Sequence, residues 1–307
     1  MRRCCRTGAA VIAILASGAV AAASCGSGSS DRSASATPAA DRFDADAAWR
    51  TIELQLRYGQ RPAGSPQLRR LALRLRTMLP YGEFEPVPGD RRLRNIVGTI
   101  PGRRPAFVIA AHYDTLAAPE GFLGANNGAA GTAIVVQLAR DIGELRRPPN
   151  APELRFVLFD GEEPPQGLPE QTTDFYSTGL RGSRAYVARH AGTTRAMVLL
   201  DYVANRGLRL PREASSTLEL WAQIRAAARE AGHAAVFPDE TQKAIIDDHT
   251  PFLRAGIPAV DLIDWSYPGH SLQDTLDKLS RRSVDAVGET LVQLVRRLDQ
   301  GQIDAVG

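Results

Sequence analysis

Two histidines and a scattered set of carboxylates stand just after apolar runs in this chain: His112 and Asp114, Glu162 and Glu163, Asp201, Asp247 and His270. Imidazoles and carboxylates with no cysteine among them are ligand chemistry suited to Zn²⁺ or a similar divalent ion. The densest group is Asp160-Gly161-Glu162-Glu163, directly behind the apolar run Phe156-Val157-Leu158-Phe159. Adjacent glutamates point in different directions. One can ligate a metal while its neighbour moves a proton on a bound water or substrate amine. Taken singly, each of these residues is an ordinary cap or turn former, and an isolated Asp-Gly-Glu-Glu is a solvated acidic turn. Recurrence at five separate strand ends points instead to one shared metal site.

Residues so far apart in sequence need a sheet to bring them together. The Phe156 run is β-branched and aromatic, as in a strand buried on both faces, and ligands bind at the carboxyl ends of such strands in open α/β sheets. Further strands are expected over Asn95 to Ile100, Ala106 to Ala111, Ala196 to Leu200 and Ala259 to Ile263. Helices are expected over Ala45 to Tyr58, Gln67 to Leu79, about Ala129 to Ile142, near Ser183 to His190, Ser216 to Ala231 and Ser280 to Leu298. In the second helix Leu71, Leu73, Leu75 and Leu79 are the candidate apolar positions, and Trp221 and Ile224 face inward in a later one. A polar loop covers Pro164 to Thr178, and a short segment, Ala244-Ile245-Ile246, precedes Asp247. This alternation predicts an α/β fold: a single domain with a mixed, mostly parallel central sheet and helices on both faces.

The amino terminus reads separately. Arg2, Arg3 and Arg6 precede an apolar run from Ala9 to Ala23, closed by Ala22-Ala23-Ser24-Cys25. A basic segment, a short apolar core and small residues describe an export signal over residues 1–24. Cys25 behind them resembles a lipobox cysteine, which predicts an exported protein held to the outer face of the cell membrane by a lipid on Cys25; simple secretion is the alternative. Residues 25–44, rich in Gly, Ser, Ala, Pro and Thr, read as a flexible tether, 45–300 as the catalytic domain and 301–307 as a tail. The formal charge of +3 includes those three arginines and no acid from the first 24 residues, so the exported domain is about neutral and nucleic-acid binding is excluded. Cys4 and Cys5 leave with the signal and Cys25 is acylated. That leaves no disulfide and no thiolate chemistry, and a monomer is the default.

His112-Tyr113-Asp114, Gly124-Ala125-Asn126-Asn127-Gly128, Asp160-Gly161-Glu162-Glu163, Leu199-Leu200-Asp201 and His270-Ser271-Leu272-Gln273-Asp274-Thr275 resemble, in that order, the motifs of zinc aminopeptidases of the M28 type. Ala63-Gly64-Ser65-Pro66, Arg181-Gly182-Ser183-Arg184 and the run from Asp247 to Pro258 are more similar to its glutaminyl-peptide cyclotransferase branch. The resemblance covers roughly residues 45–300. It implies that Glu163 and His270 ligate zinc with the residue at 127, that Glu162 is the acid/base, and that Asp247, supported by Asp201, holds the reacting groups of a peptide N-terminus. In a two-metal peptidase, His112 and Asp201 would complete a second position, with Asp114 orienting His112.

The sequence departs from that pattern in three places, one of them Pro164-Pro165 in place of the usual residues after the glutamates. Asn127 stands where the family has an aspartate, and an amide oxygen is a neutral, weaker ligand that does not bridge two cations. One zinc held by Asn127, Glu163 and His270 is therefore favoured over two. Gly269 replaces the tryptophan that cyclases carry before the ligand histidine, with Tyr267 or Trp265 as the nearby aromatic substitutes. Three functions fit: an exported cyclase converting N-terminal Gln to pyroglutamate, an aminopeptidase with an altered metal site, or a weakened relative that binds peptides.

Overall fold

The apolar runs do form the strands that carry the polar residues. In the computed structural model, which describes residues 42–165 and 174–303, the strands are β1 (Glu83–Pro86), β2 (Arg94–Ile100), β3 (Arg103–His112), β4 (Pro152–Phe159), β5 (Thr194–Asp201), β6 (Arg212–Glu213), β7 (Thr241–Gln242) and β8 (Ala259–Ile263). One six-stranded sheet has the order β1-β2-β4-β3-β5-β8, and β6 and β7 pair separately. β2 pairs antiparallel with both β1 and β4, while β4, β3, β5 and β8 are mutually parallel. The parallel block aligns its carboxyl ends: His112 is opposite Phe159, and Asp201 opposite Ile263. Everything that follows these strands starts from one rim.

The helices are α1 (Ala45–Leu56), α2 (Pro66–Arg76), α3 (Gly131–Gly143), α4 (Phe175–Thr178), α5 (Arg181–His190), α6 (Leu218–Glu230), α7 (Thr250–Arg254) and α8 (Arg281–Asp299). Strand side chains alternate between the two faces. Phe107, Ile109, Phe156, Leu158, Val198 and Leu200 enter the core shared with α1, α2, α3, α6 and α8. Val108, Val157, Phe159, Met197 and Leu199 pack against Tyr186 of α5 and Phe252 of α7. Each such side chain, fully buried, contributes roughly 1.5–3 kcal/mol, so a strand covered on both faces keeps apolar residues at every position. The α/β reading, the mostly parallel sheet and the helices on both faces all hold.

Several local expectations change. Leu73 is 52 % exposed, whereas Leu68, Leu71, Ala72 and Leu75 form the inner stripe of α2. Asp247 follows a loop after β7, not a strand. Phe43 and Asp44 lie within the stretch read as tether, yet Phe43 is buried and Asp44 caps α1 by accepting from the Ala47 N–H. Phe43 seats against Gly288 of α8, where any Cβ would stand 2.1 Å from its ring. The edge strand β1 and the β6–β7 pair had no clear sequence signal. The export signal, Cys25, nearly all of the tether and residues 166–173 of the polar loop lie outside the described residues. Among the described residues, no helix is long and apolar enough to cross a membrane.

Candidate active site

β4 ends at Phe159, and the chain reverses through Gly161 in the left-handed region at φ 77°. Asp114, two residues beyond β3, holds this turn from beneath. Its two carboxylate oxygens accept the backbone N–H groups of Glu162 and Glu163, each at 3.2 Å. Arg181 clamps it from the other side, donating to the carbonyl oxygens of Glu163 at 2.8 Å and Gly161 at 3.2 Å. With the main chain fixed, the two glutamates diverge. Glu162 Oε2 lies 3.9 Å from His112 Nδ1, while Glu163 Oε1 lies 3.9 Å from His270 Nε2.

Asn127 reaches the same Glu163 oxygen, its Nδ2 donating at 2.7 Å. The turn that carries it, Ala125–Ala130, breaks from helical geometry at Asn127 (φ −77°, ψ 100°). Asp274 sets that break: its carboxylate accepts the N–H groups of Asn126 at 2.8 Å and Asn127 at 2.9 Å, and the Tyr267 hydroxyl at 2.7 Å. Arg61, wholly buried, donates to the carbonyl oxygens of Leu123 at 2.6 Å and Gly124 at 3.1 Å. Burial pushes its guanidinium down to about 10, against the pull of Asp274 and Asp114.

On the far side of Glu162, His112 sits at the end of β3 and is buried among acids. Its Nε2 is 3.5 Å from Asp201 Oδ1 and its Nδ1 3.6 Å from Asp114 Oδ1. Burial disfavours the imidazolium, but Asp114, Asp201 and Glu162 together hold its affinity for a proton well above the usual range. Burial and the neighbouring Glu163 push Glu162 well up from an ordinary carboxyl, with Asp247 and Asp248 adding to the shift and His112 opposing it. Glu163 is raised to about 7 by burial, with His270 and His112 opposing. Asp247 is raised to about 6, by burial and then Asp201. Crowded carboxyls of this kind retain protons near neutrality, as a proton-moving group needs.

These groups surround a cavity of about 410 Å³ lined by Asn127, Glu162, Asp201, Asp247 and His270. Its apolar side is Phe175, Tyr202, Ala244, Ile245, Ile246 and Trp265, and Lys243 completes the lining. The wall that the Gly269 substitution removes is rebuilt by Tyr202. A Cβ at position 269 would stand 2.4 Å from the Tyr202 ring, so the ring fills the space a side chain there would take. Tyr202 stacks on Trp265 at 6.1 Å and meets His270 edge-on at 5.9 Å. Tyr267, the other expected substitute, turns its hydroxyl to Asp274.

All seven residues singled out from the sequence as catalytic or metal-binding therefore meet in one place. Glu162, Asp201, Asp247, Asn127 and His270 line the cavity, with His112 and Glu163 directly behind. Sequence reasoning assigned no role to Tyr202, Asp274, Arg61 or Arg181. Asp274 was visible, four residues after His270 in a quoted motif; Arg61, in an unremarkable turn, was not. The donors around Glu163 are of the chemistry that holds a divalent ion. Asn127 and His270 converge on one carboxylate oxygen, and the other, Glu163 Oε2, is buried with no partner. Among the described residues no three His, Cys, Asp or Glu side chains are grouped to hold an ion. Asn127 here turns its N–H groups toward Glu163, so its oxygen reaches an ion only after the amide flips.

The chain belongs to peptidase family M28, whose family model matches residues 95–295. It is 26% identical over 245 residues to the glutaminyl-peptide cyclotransferase of Bothrops jararaca, covering 66% of this chain and 65% of that protein. The chain thus spans just under two thirds of that relative's length. The crystal structure of an Acidobacteriales bacterium glutaminyl cyclase is similar at 26% identity and a TM-score of 0.72, over 87% of this chain and 98% of that one. A leucine aminopeptidase precursor from Bacteroides thetaiotaomicron shares the fold, at 24% identity and a TM-score of 0.72 over 84% of this chain and 99% of that one. The fold alone therefore does not choose between cyclase and peptidase.

Proposed function

We propose that this protein is an exported glutaminyl-peptide cyclotransferase, acting on peptides with N-terminal glutamine at a single zinc ion. The observation that carries the reading is the junction at Glu163. There Asn127 and His270 approach one carboxylate at 2.7 and 3.9 Å beside a cavity floored by acids. A neutral amide at 127 suits one cation and not a bridged pair, which favours cyclase over aminopeptidase. Similarity to the snake and bacterial cyclases supports the same choice.

Zinc bound by Glu163, His270 and the Asn127 amide oxygen would supply Lewis-acid polarisation of the substrate's side-chain amide. The chain's own groups do the rest. Asp201 and Asp247 draw in and orient the substrate's α-ammonium by charge and hydrogen bonding. Once that ammonium has released one proton to water, Glu162 accepts a second as the neutral amine attacks the side-chain amide carbon. The new C–N bond closes the five-membered lactam, the C–NH₂ bond breaks, and Glu162 returns its proton so that ammonia departs. The Tyr202 and Trp265 rings shield the reacting atoms from water.

The test is incubation of the purified domain with a Gln-peptide and, separately, with aminoacyl amides, while bound zinc is counted by mass spectrometry. One equivalent of zinc with pyroglutamate and ammonia as products supports the proposal. Release of the N-terminal residue supports a peptidase, and peptide binding with neither product supports a non-catalytic relative. The basic, apolar and small-residue order over residues 1–25 supports export with lipid attachment at Cys25.

A further inference from the structure

The acids account for how a peptide's amino end is held, but the cavity also contains a group with no such use. Lys243, one of only two lysines in the sequence, is exposed and lines the same space. Its Nζ lies 4.9 Å from the centroid of the Trp265 ring. Among the described residues that ammonium has no carboxylate partner. Close by are Glu162, Asp201 and Asp247, all buried, so the cavity joins a negative interior to a positive, solvent-facing group. Ile246 and Trp265, partly exposed at 48 % and 38 %, provide apolar surface along the same wall.

We infer that Lys243 recognises a carboxylate on the substrate's second residue, so that the preferred substrates are peptides zwitterionic over their first two residues. The inference rests on the reading above that an N-terminal ammonium enters this cavity. With that end held by Asp201 and Asp247, the next residue passes Trp265 and Ile246 on its way out, within reach of a flexible lysine. The Trp265 face steadies the ammonium without neutralising it, since a cation–π contact leaves its hydrogen-bond donors available. The carboxylate comes from one of two sources: the free terminus of a dipeptide, or an acidic side chain in a longer peptide. An exposed ion pair contributes modestly, so the selectivity is about two- to fivefold and weakens with salt.

The test compares four peptides on the full-length protein: Gln-Ala, its amide, Gln-Glu-amide and Gln-Gln-amide. Preference for Gln-Ala over its amide identifies the free terminus, and preference for Gln-Glu-amide over Gln-Gln-amide identifies the side chain; either supports the inference. Lys243→Met keeps the stem on Trp265 and should bring the preferred ratio of kcat/KM close to one, while Lys243→Glu should take it below one. Calorimetric affinities for the same peptides give the same ratios without turnover, so a protein that fails as a cyclase still answers. Ratios near one in the native protein, ratios unmoved by Lys243→Met, or no binding of any of the four overturn the inference.

Discussion

Asn127 makes the metal question one of a single atom. Restoring a carboxylate by Asn127→Asp should tighten zinc binding roughly tenfold or more, about 1.4 kcal/mol per decade, as read by competition with a chelator. The same change sets two carboxylates against each other wherever zinc is removed, so the metal-free variant should melt below the metal-free parent. A variant that gains neither affinity nor zinc-dependent melting would show that position 127 does not face the ion. Glu162→Gln should separate chemistry from binding, retaining zinc while turnover falls about 10²- to 10⁴-fold. At this scale the sequence was informative because ionisable residues behind apolar runs are conspicuous. The expected grouping of His112 with Asp201 and Asp114 is found. The direction of the Asn127 amide was not legible, since it depends on packing between segments far apart in sequence.

Among the elements, the loop ahead of α3 is held by two buried side chains, Asp274 and Arg61. Arg61 donates to the carbonyl oxygens of Leu123 and Gly124. Arg61→Met should leave the Leu123 carbonyl unpaired, with that of Gly124 held only by the Ala129 N–H, and lower unfolding stability by about 1–3 kcal/mol, with a matching fall in denaturation midpoint. Loss of the loop's shape should cost zinc affinity as well, although Arg61 touches no donor. At the other side of the molecule, Gly288→Ala would drive a methyl into the Phe43 ring, and overpacking of this kind costs typically 1–3 kcal/mol. The long apolar strands and amphipathic helices were legible because periodicity marks them directly. β1 was not, being four residues at a sheet edge with a proline, where tertiary pairing and not local pattern decides. The β6–β7 pair has two residues in each strand and offers no period to read.

For the molecule as a whole, acid stability should report the Glu213 cluster, which adjoins the cavity wall at Ile245. Burial pushes Glu213 up, but hydrogen bonds from His249 and from the Ser215 and Ile245 N–H groups outweigh it, holding the carboxyl at about 2 against an ordinary 4.5. A depressed folded-state pKa stabilises above the unfolded value and is lost as pH falls through the folded one. Glu213 should therefore contribute on the order of 1–3 kcal/mol that disappears between about pH 4.5 and 2. Glu213→Gln should flatten the unfolding curve over that interval; an unchanged slope would assign the acid sensitivity elsewhere. At the amino end, Cys25→Ser should release the protein from membranes into the soluble fraction if the lipid reading is right, which fractionation of expressing cells checks.

The ring of Tyr202 and any side chain at 269 exclude one another. Any descendant or designed variant acquiring a bulky group at 269 must have surrendered the tyrosine beforehand or in the same step, because the intermediate with both has nowhere to put them. The order of events is thereby fixed: the exchange begins at 202, and a library that varies only 269 will never find it.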